Sequence, residues 1–334
     1  MRNILITGGA GFIGSNFIQH FLHAHPQYHL FNLDLLTYAG KLENMQEFYS
    51  HPHHTFIQGD ICDKELLIKI FEEHKIDSVI HLAAESHVDN SIHSPSIFIK
   101  TNIEGTFTLL DVCYHFWLDA PFSYKTPYGI FHHISTDEVY GSLGEQGYFS
   151  ESTPYAPNSP YSASKASSDM LVRSYHHTYG LKTLITNCSN NYGPKQHAEK
   201  LIPTIITKAL NKEEIPIYGD GLNIRDWLYV EDHCRALDCV FHSQQYGQTY
   251  NIGGNNEYTN IAIAKKICSI LDAMRPSTSA YEEQIRFVKD RAGHDRRYAI
   301  DSAKIQKELH WHPLHSFDTG LVKTIEWYLT KHAR

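Results

Sequence analysis

The chain is short of several things, and each shortage excludes a class of function. It has only six cysteines in 334 residues: Cys62, Cys113, Cys188, Cys234, Cys239 and Cys268. They are scattered and form no CxxC pair, so neither a disulfide framework nor a thiolate metal cluster is expected, and the setting reads as reducing and cytoplasmic. No apolar run is long enough to cross a bilayer. Strand-like residues begin at Arg2 and run straight into a glycine-rich turn, which is not a secretory pattern. There is no Lys/Arg block, and 29 basic against 37 acidic residues leave a formal net charge of −8. Nucleic acid is therefore not an expected partner, although a local basic pocket for phosphates stays compatible with an acidic total. Internal repeats and low-complexity segments are absent too.

What is present is an ordinary globular balance, 42% hydrophobic and 20% charged. The length allows a large core and more than one lobe. Histidine is abundant, at 24 residues. The runs His51, His53, His54 and His132–His133 lack the spaced thiolate or carboxylate partners of a metal motif, so they read as surface or structural histidines and no metal is expected.

The first half alternates strand and helix. Strands are expected at 2–7, 29–34, 55–60, 77–84, 129–135 and 182–187, with helices over about 12–24, 63–74, 95–118 and 161–179. Such alternation predicts parallel pairing through crossovers, hence an α/β doubly wound parallel sheet. The second half is less regular, rich in Gly, Pro and Asn to about residue 255, with helical patterns at 259–274 and 316–330. The expected division is a nucleotide-binding domain over 1–190, rejoined by segments around 225–255, and a smaller lobe formed mainly by 191–334.

TGGAGFIG (7–14) follows the first strand and opens the first helix. Gly8, Gly11 and Gly14 let the backbone turn tightly and approach a pyrophosphate, and the helix N-terminus offers free N–H groups. Asp34 ends the second strand about 20 residues on, where a carboxylate would hold the ribose hydroxyls of NAD. Asp60, ending the third strand, sits near an adenine or else caps a helix. Phe12, Ile13, Ile61 and Ala83, beside these positions, complete the cofactor candidates. YSASK places Tyr161 and Lys165 four apart on one helical face. Beside a nicotinamide, the ammonium lowers the phenol pKa and the phenolate accepts a hydroxyl proton as hydride leaves. Thr136 could hydrogen-bond the same hydroxyl.

TGGAGFIG together with YxxxK resembles the extended short-chain dehydrogenase/reductase family, which includes sugar-nucleotide epimerases, decarboxylases and dehydratases. The resemblance covers essentially the whole chain. One stretch, FHHISTDEVYG (131–141), asks for more than alcohol oxidation. Asp137 and Glu138 are adjacent like charges at a strand end. Oxidation needs no such pair, and neither does 4-epimerisation. An elimination does: once C4 is a ketone, a base must take the C5 proton and an acid must protonate the departing C6 hydroxyl. One carboxyl can be kept protonated by burial and its charged neighbour.

STDEVYG is similar to the motif of the dTDP-glucose 4,6-dehydratases. That resemblance implies Asp137 as the acid, Glu138 as the C5 base, and Tyr161 with Lys165 and Thr136 acting at C4. It implies NAD that ends as it began, and a product feeding deoxysugar synthesis, commonly toward rhamnose. LTYAG (36–40), HLAAESHVD (81–89), CSNNYGP (188–194), EKLIP (199–203), GDGLNIRDWLYVEDH (219–233) and DRAGHDRRYAID (290–301) look like the same group. By that resemblance Ser86, Asn190, Lys200, Leu201, Arg225, Asn260, Arg291 and His294 would line a nucleotide-sugar site, with Arg225 and Arg291 suited to a diphosphate. Dimerisation through the helices near 95–118 and 161–179 is implied as well. Three places depart from the pattern: Asn90, the pair Lys195 and Ala198, and a short insertion at 120–129. UDP-glucose as substrate, another NAD-dependent epimerase or decarboxylase, and a non-catalytic NAD sensor remain the alternatives.

Overall fold

In the computed structural model, residues 2–290 and 295–332 are described. Arg291 and His294 lie outside them. Seven strands form the main sheet: β1 Arg2–Thr7, β2 Tyr28–Asp34, β3 His54–Gln58, β4 Ser78–His81, β5 Ile130–Thr136, β6 Lys182–Cys188 and β7 Thr249–Ile252. Their spatial order is β3-β2-β1-β4-β5-β6-β7 and every pairing is parallel. The expected doubly wound sheet is what forms. The order in which successive strands are added reverses between β1 and β4, and the crevice beyond their carboxyl ends is where such sheets take ligands.

Parallel strands of this kind are buried on both faces, so they read as near-continuous apolar runs. Ile4, Ile6, Ile80 and Leu184 point into one core, and Leu5, Val79, Phe131 and Ile185 into the other. Helices α1 (Phe12–Ala24) and α6 (Val230–His242) cover the first face; α2 (Lys64–His74), α3 (Thr106–Trp117) and α4 (Pro160–Tyr179) cover the second. The expected helix over 95–118 is helical but not uniform. Pro95–Phe98 leads into a π-helical turn over Ile99–Gly105 before α3. The wider turn carries Asn102 inward, where its amide brackets Glu85: Oδ1 accepts the Glu85 N–H at 2.9 Å and Nδ2 donates to the Glu85 carbonyl at 3.0 Å.

A third core, outside the main sheet, is built from α5 (Leu201–Leu210), α7 (Asn260–Met274) and α8 (Phe317–His332). Residues 190–192, 224–229 and 257–259 form a three-stranded sheet. Of the stretch around 225–255, α6 and β7 therefore rejoin the main sheet, while 224–229 pairs outside it. The insertion at 120–129 contributes to a small hairpin, Leu118–Ala120 against Ser123–Tyr124. Among the described residues, no helix is long and apolar enough to cross a membrane.

Candidate active site

A cleft of about 350 Å³ opens at the carboxyl ends of the strands. It is lined by Gly8, Gly11, Phe12, Ile13 and Gly14 of the first turn, by Asp34, Asp60, Ile61, Ala83 and Ser86, by Thr136, Asp137, Glu138, Tyr161 and Lys165, and by Asn190 and Lys200. Seventeen positions singled out in the sequence thus meet in one place. Leu201, Arg225 and Asn260 do not line it. Leu201 and Asn260 are the first residues of α5 and α7.

The turn at one end fits a dinucleotide. Gly8 adopts φ +76°, and a Cβ there would sit 2.6 Å from the Ala83 nitrogen. A Cβ on Gly14 would sit 2.2 Å from the Gly8 carbonyl oxygen. Only glycine allows strand, turn and helix to approach this closely. No side chain caps α1, and its first turn carries no acid. Its leading N–H groups face the cleft with the positive end of the helix dipole behind them, an arrangement suited to a pyrophosphate. Asp34 is fixed by two backbone donors, Ala10 N–H at 2.9 Å and Leu36 N–H at 2.8 Å. Each carboxylate oxygen keeps a lone pair for a ribose hydroxyl. Asp60 does not cap a helix; Asp63 does, accepting the Leu66 N–H at 3.0 Å.

At the other end β5 runs out into the acidic pair. Thr136 ends the strand and caps a short 3-10 turn, Asp137–Tyr140, by accepting the Glu138 N–H at 3.3 Å. Its hydroxyl also donates to Asp137 Oδ1 at 3.4 Å. Asp137 is buried, and its other oxygen has no hydrogen-bond partner among the described residues. Burial raises its pKa well above the usual carboxylate value, and the charges of Glu138 and Asp226 raise it further; Arg225 and the Thr136 hydroxyl oppose this. A carboxylic acid kept neutral at neutral pH can donate a proton. Glu138, its neighbour, is only partly buried. The sequence assigned Arg225 to a diphosphate. Here its guanidinium donates to the carbonyls of Ile224 (2.7 Å) and Asp295 (2.9 Å), lies over the Tyr298 ring, and acts electrostatically on Asp137.

Tyr161 lies in the first turn of α4, which a Ser159–Ser162 capping box and Pro160 start firmly. Burial pushes its phenol well up and Glu138 adds to this, while a hydrogen bond with Thr136 works the other way. The sequence argument gave Lys165 the task of acidifying this phenol. The Lys165 ammonium donates to the Ile134 carbonyl of β5 at 2.8 Å. Burial brings Lys165 down to about 8, opposed by the charge of Asp169. Asp169 was missed in the sequence. Its carboxylate accepts from Ser135 (2.9 Å) and Tyr155 (2.9 Å) and lies 3.1 Å from His133 Nε2. The signal was available, since Asp169 stands four residues after Lys165 on the same helical face.

On the far wall Lys200 donates to the Ser86 carbonyl at 3.1 Å. The departures fall elsewhere. Lys195 donates to Glu47 (2.7 Å) and Gln19 (3.1 Å), and Asn90, Lys195 and Ala198 are all off the cleft lining.

Comparison with known proteins agrees with this geometry. The family model of GDP-mannose 4,6 dehydratase matches residues 5–324. A dTDP-glucose 4,6-dehydratase of Neisseria meningitidis serogroup B is 53% identical, over 98% of this chain and 94% of that protein. One from Escherichia coli K12 is 52% identical, over 98% and 92%. Among solved structures, a Bacillus anthracis dTDP-glucose 4,6-dehydratase in complex with NAD superposes with a TM-score of 0.88 at 44% identity, over 100% and 98% of the two chains. A UDP-glucose 4-epimerase of Thermotoga maritima, solved with UDP-glucose, gives 0.87 at 29% identity, covering 99% of each.

Proposed function

The chain belongs to the GDP-mannose 4,6 dehydratase family, and from that premise we propose that it is a dTDP-glucose 4,6-dehydratase working with NAD. The observation that carries this reading is the acidic pair: Asp137 buried, its pKa raised by burial and by the charge of Glu138 beside it, both on the cleft that Tyr161 lines. The fold alone would not decide, since an epimerase superposes almost as closely as a dehydratase. Epimerisation gives the pair no task.

The turn at Gly8–Gly14 and the start of α1 would hold the pyrophosphate, Asp34 the adenosine ribose, and Asp60, Ile61 and Ala83 the adenine side. NAD, when bound, takes hydride from sugar C4 and returns it at C6. Tyr161, in its phenolate form, takes the proton of the C4 hydroxyl. With C4 a ketone, the C5–H becomes acidic and Glu138 removes that proton. Asp137 gives its proton to the C6 hydroxyl, the C6–O bond breaks, and water leaves. Glu138 then returns its proton to C5, and the product is a 4-keto-6-deoxy sugar nucleotide. Tyr161 ends with one proton more and Asp137 with one fewer. Thr136 touches both, so its hydroxyl offers a route for that proton to return. Ser86, Asn190 and Lys200 would meet the nucleotide sugar.

Glu138→Gln separates the steps. Given dTDP-glucose, it is expected to oxidise C4, seen as nicotinamide absorbance, without losing water. Undiminished water loss would remove Glu138 from the base role. We also propose a homodimer, supported by the exposed apolar side chains Ile97, Ile99, Phe107 and Met170 on the helical stretches 95–117 and 160–179, and a reducing, cytoplasmic location, supported by six free thiols. A two-lobed division near residue 190 belongs to the same proposal.

A further inference from the structure

We propose that His25, Asp238 and His242 form a binding site for a borderline divalent cation such as zinc, with His20 held on the same carboxylate, fastening α1 to α6 on the side of the sheet they cover. The Asp238 carboxylate lies 2.9 Å from His20 Nε2, 2.8 Å from His25 Nε2 and 2.8 Å from His242 Nδ1. The ligand atoms of His25, Asp238 and His242 all lie within 4.8 Å of one another. Tetrahedral ligands held about 2.0–2.1 Å from zinc stand roughly 3.3 Å apart. For an ion to enter, the carboxylate has to back off by about half an ångström, and ligand atoms standing as far apart as 4.8 Å have to close by up to about 1.5 Å. Two imidazoles and one carboxylate suit zinc, cobalt or nickel, not the all-oxygen shells of calcium or magnesium.

The surroundings agree. His242 Nε2 lies 3.1 Å from the Tyr28 hydroxyl, an outer hydrogen bond of the kind that orients a ligating imidazole. His25 packs on His242 with ring centroids 4.6 Å apart, and Phe21 and Tyr28 flank them, so both rings are already placed. His242 Nδ1 also lies 3.0 Å from the Asp238 carbonyl oxygen, a contact that ligation replaces. The four side chains are 15–33% exposed, open enough for an ion to reach them from solvent. None lines the catalytic cleft. The histidines at 51, 53 and 54 have no carboxylate among them and make no such group.

A purely hydrogen-bonded cluster would also join the two helices, and the test separates the two. Untagged full-length protein, stripped with chelator, is titrated with Zn²⁺ by calorimetry and with Co²⁺ by visible absorption. The expected result is one tightly bound equivalent, tetrahedral cobalt bands, and a higher melting temperature with zinc. Asp238→Asn and His242→Gln should each weaken binding by more than the roughly 10–100-fold lost with an outer-shell partner, while His51→Gln leaves it unchanged. His25→Gln carries the test if Asp238→Asn fails to fold. No bound equivalent in the parent at micromolar zinc, or undiminished binding in these variants, overturns the proposal.

Discussion

Burying Asp137 beside Glu138 and Asp226 raises its folded-state pKa above the ordinary value of 3.8. The unfolded chain gives up that proton more readily. The stability tied to the group is therefore full below about pH 4 and is lost as pH rises through the folded value. Asp137→Asn removes this loss. It is expected to melt higher than the parent at pH 7 while turnover falls by roughly 10²–10⁴-fold, measured by calorimetry and product assay on the same preparation. A variant that dehydrates normally would contradict the acid role. Lys165 gives a second prediction. Burial holds its pKa at about 8 and the Asp169 charge opposes the fall. Activity that needs the ammonium should decline as pH passes through that value. Asp169→Asn removes the opposing charge, so the decline should move to lower pH. An unmoved pH–rate profile would leave Asp169 a packing residue only.

At the scale of elements, the close approach of turn and helix is testable at Gly14. A methyl group there meets the Gly8 backbone at 2.2 Å, so Gly14→Ala must push α1 away from the turn, at a cost of about 1–3 kcal/mol. The variant is expected to melt lower and to emerge from gel filtration without NAD. Elements of this kind were legible in the sequence because a strand buried on both faces leaves an uninterrupted apolar run, and a glycine turn marks where it ends. The strands of the second lobe were not. Residues 190–192 and 257–259 are three-residue strands, too short to show a period, and Asn190 gains its place only by pairing with Trp227. The π turn that carries Asn102 inward has no periodic signature either. The site followed the same division: residues at strand ends and on α4 could be placed by spacing, whereas the direction of the Lys165 ammonium and the Asp137-facing position of Arg225 depend on packing between distant segments.

At the scale of the whole molecule, two cores share the main sheet, a third lies outside it, and the cleft opens at the carboxyl ends of the sheet's strands. A dimer joined across the 95–117 and 160–179 stretches would cover Phe107 and Met170. Sedimentation at micromolar concentration is expected to give twice the chain mass, and Phe107→Glu with Met170→Glu to give the monomer. The measurement that bears most directly on the whole account is the reaction itself. Purified protein is given dTDP-glucose and UDP-glucose in parallel, without added NAD, and the products are weighed by mass spectrometry. The account predicts loss of one water from dTDP-glucose, to a 4-keto-6-deoxy product, and little or none from UDP-glucose. A product of unchanged mass, epimerised at C4, or no reaction even after NAD is supplied, would contradict it.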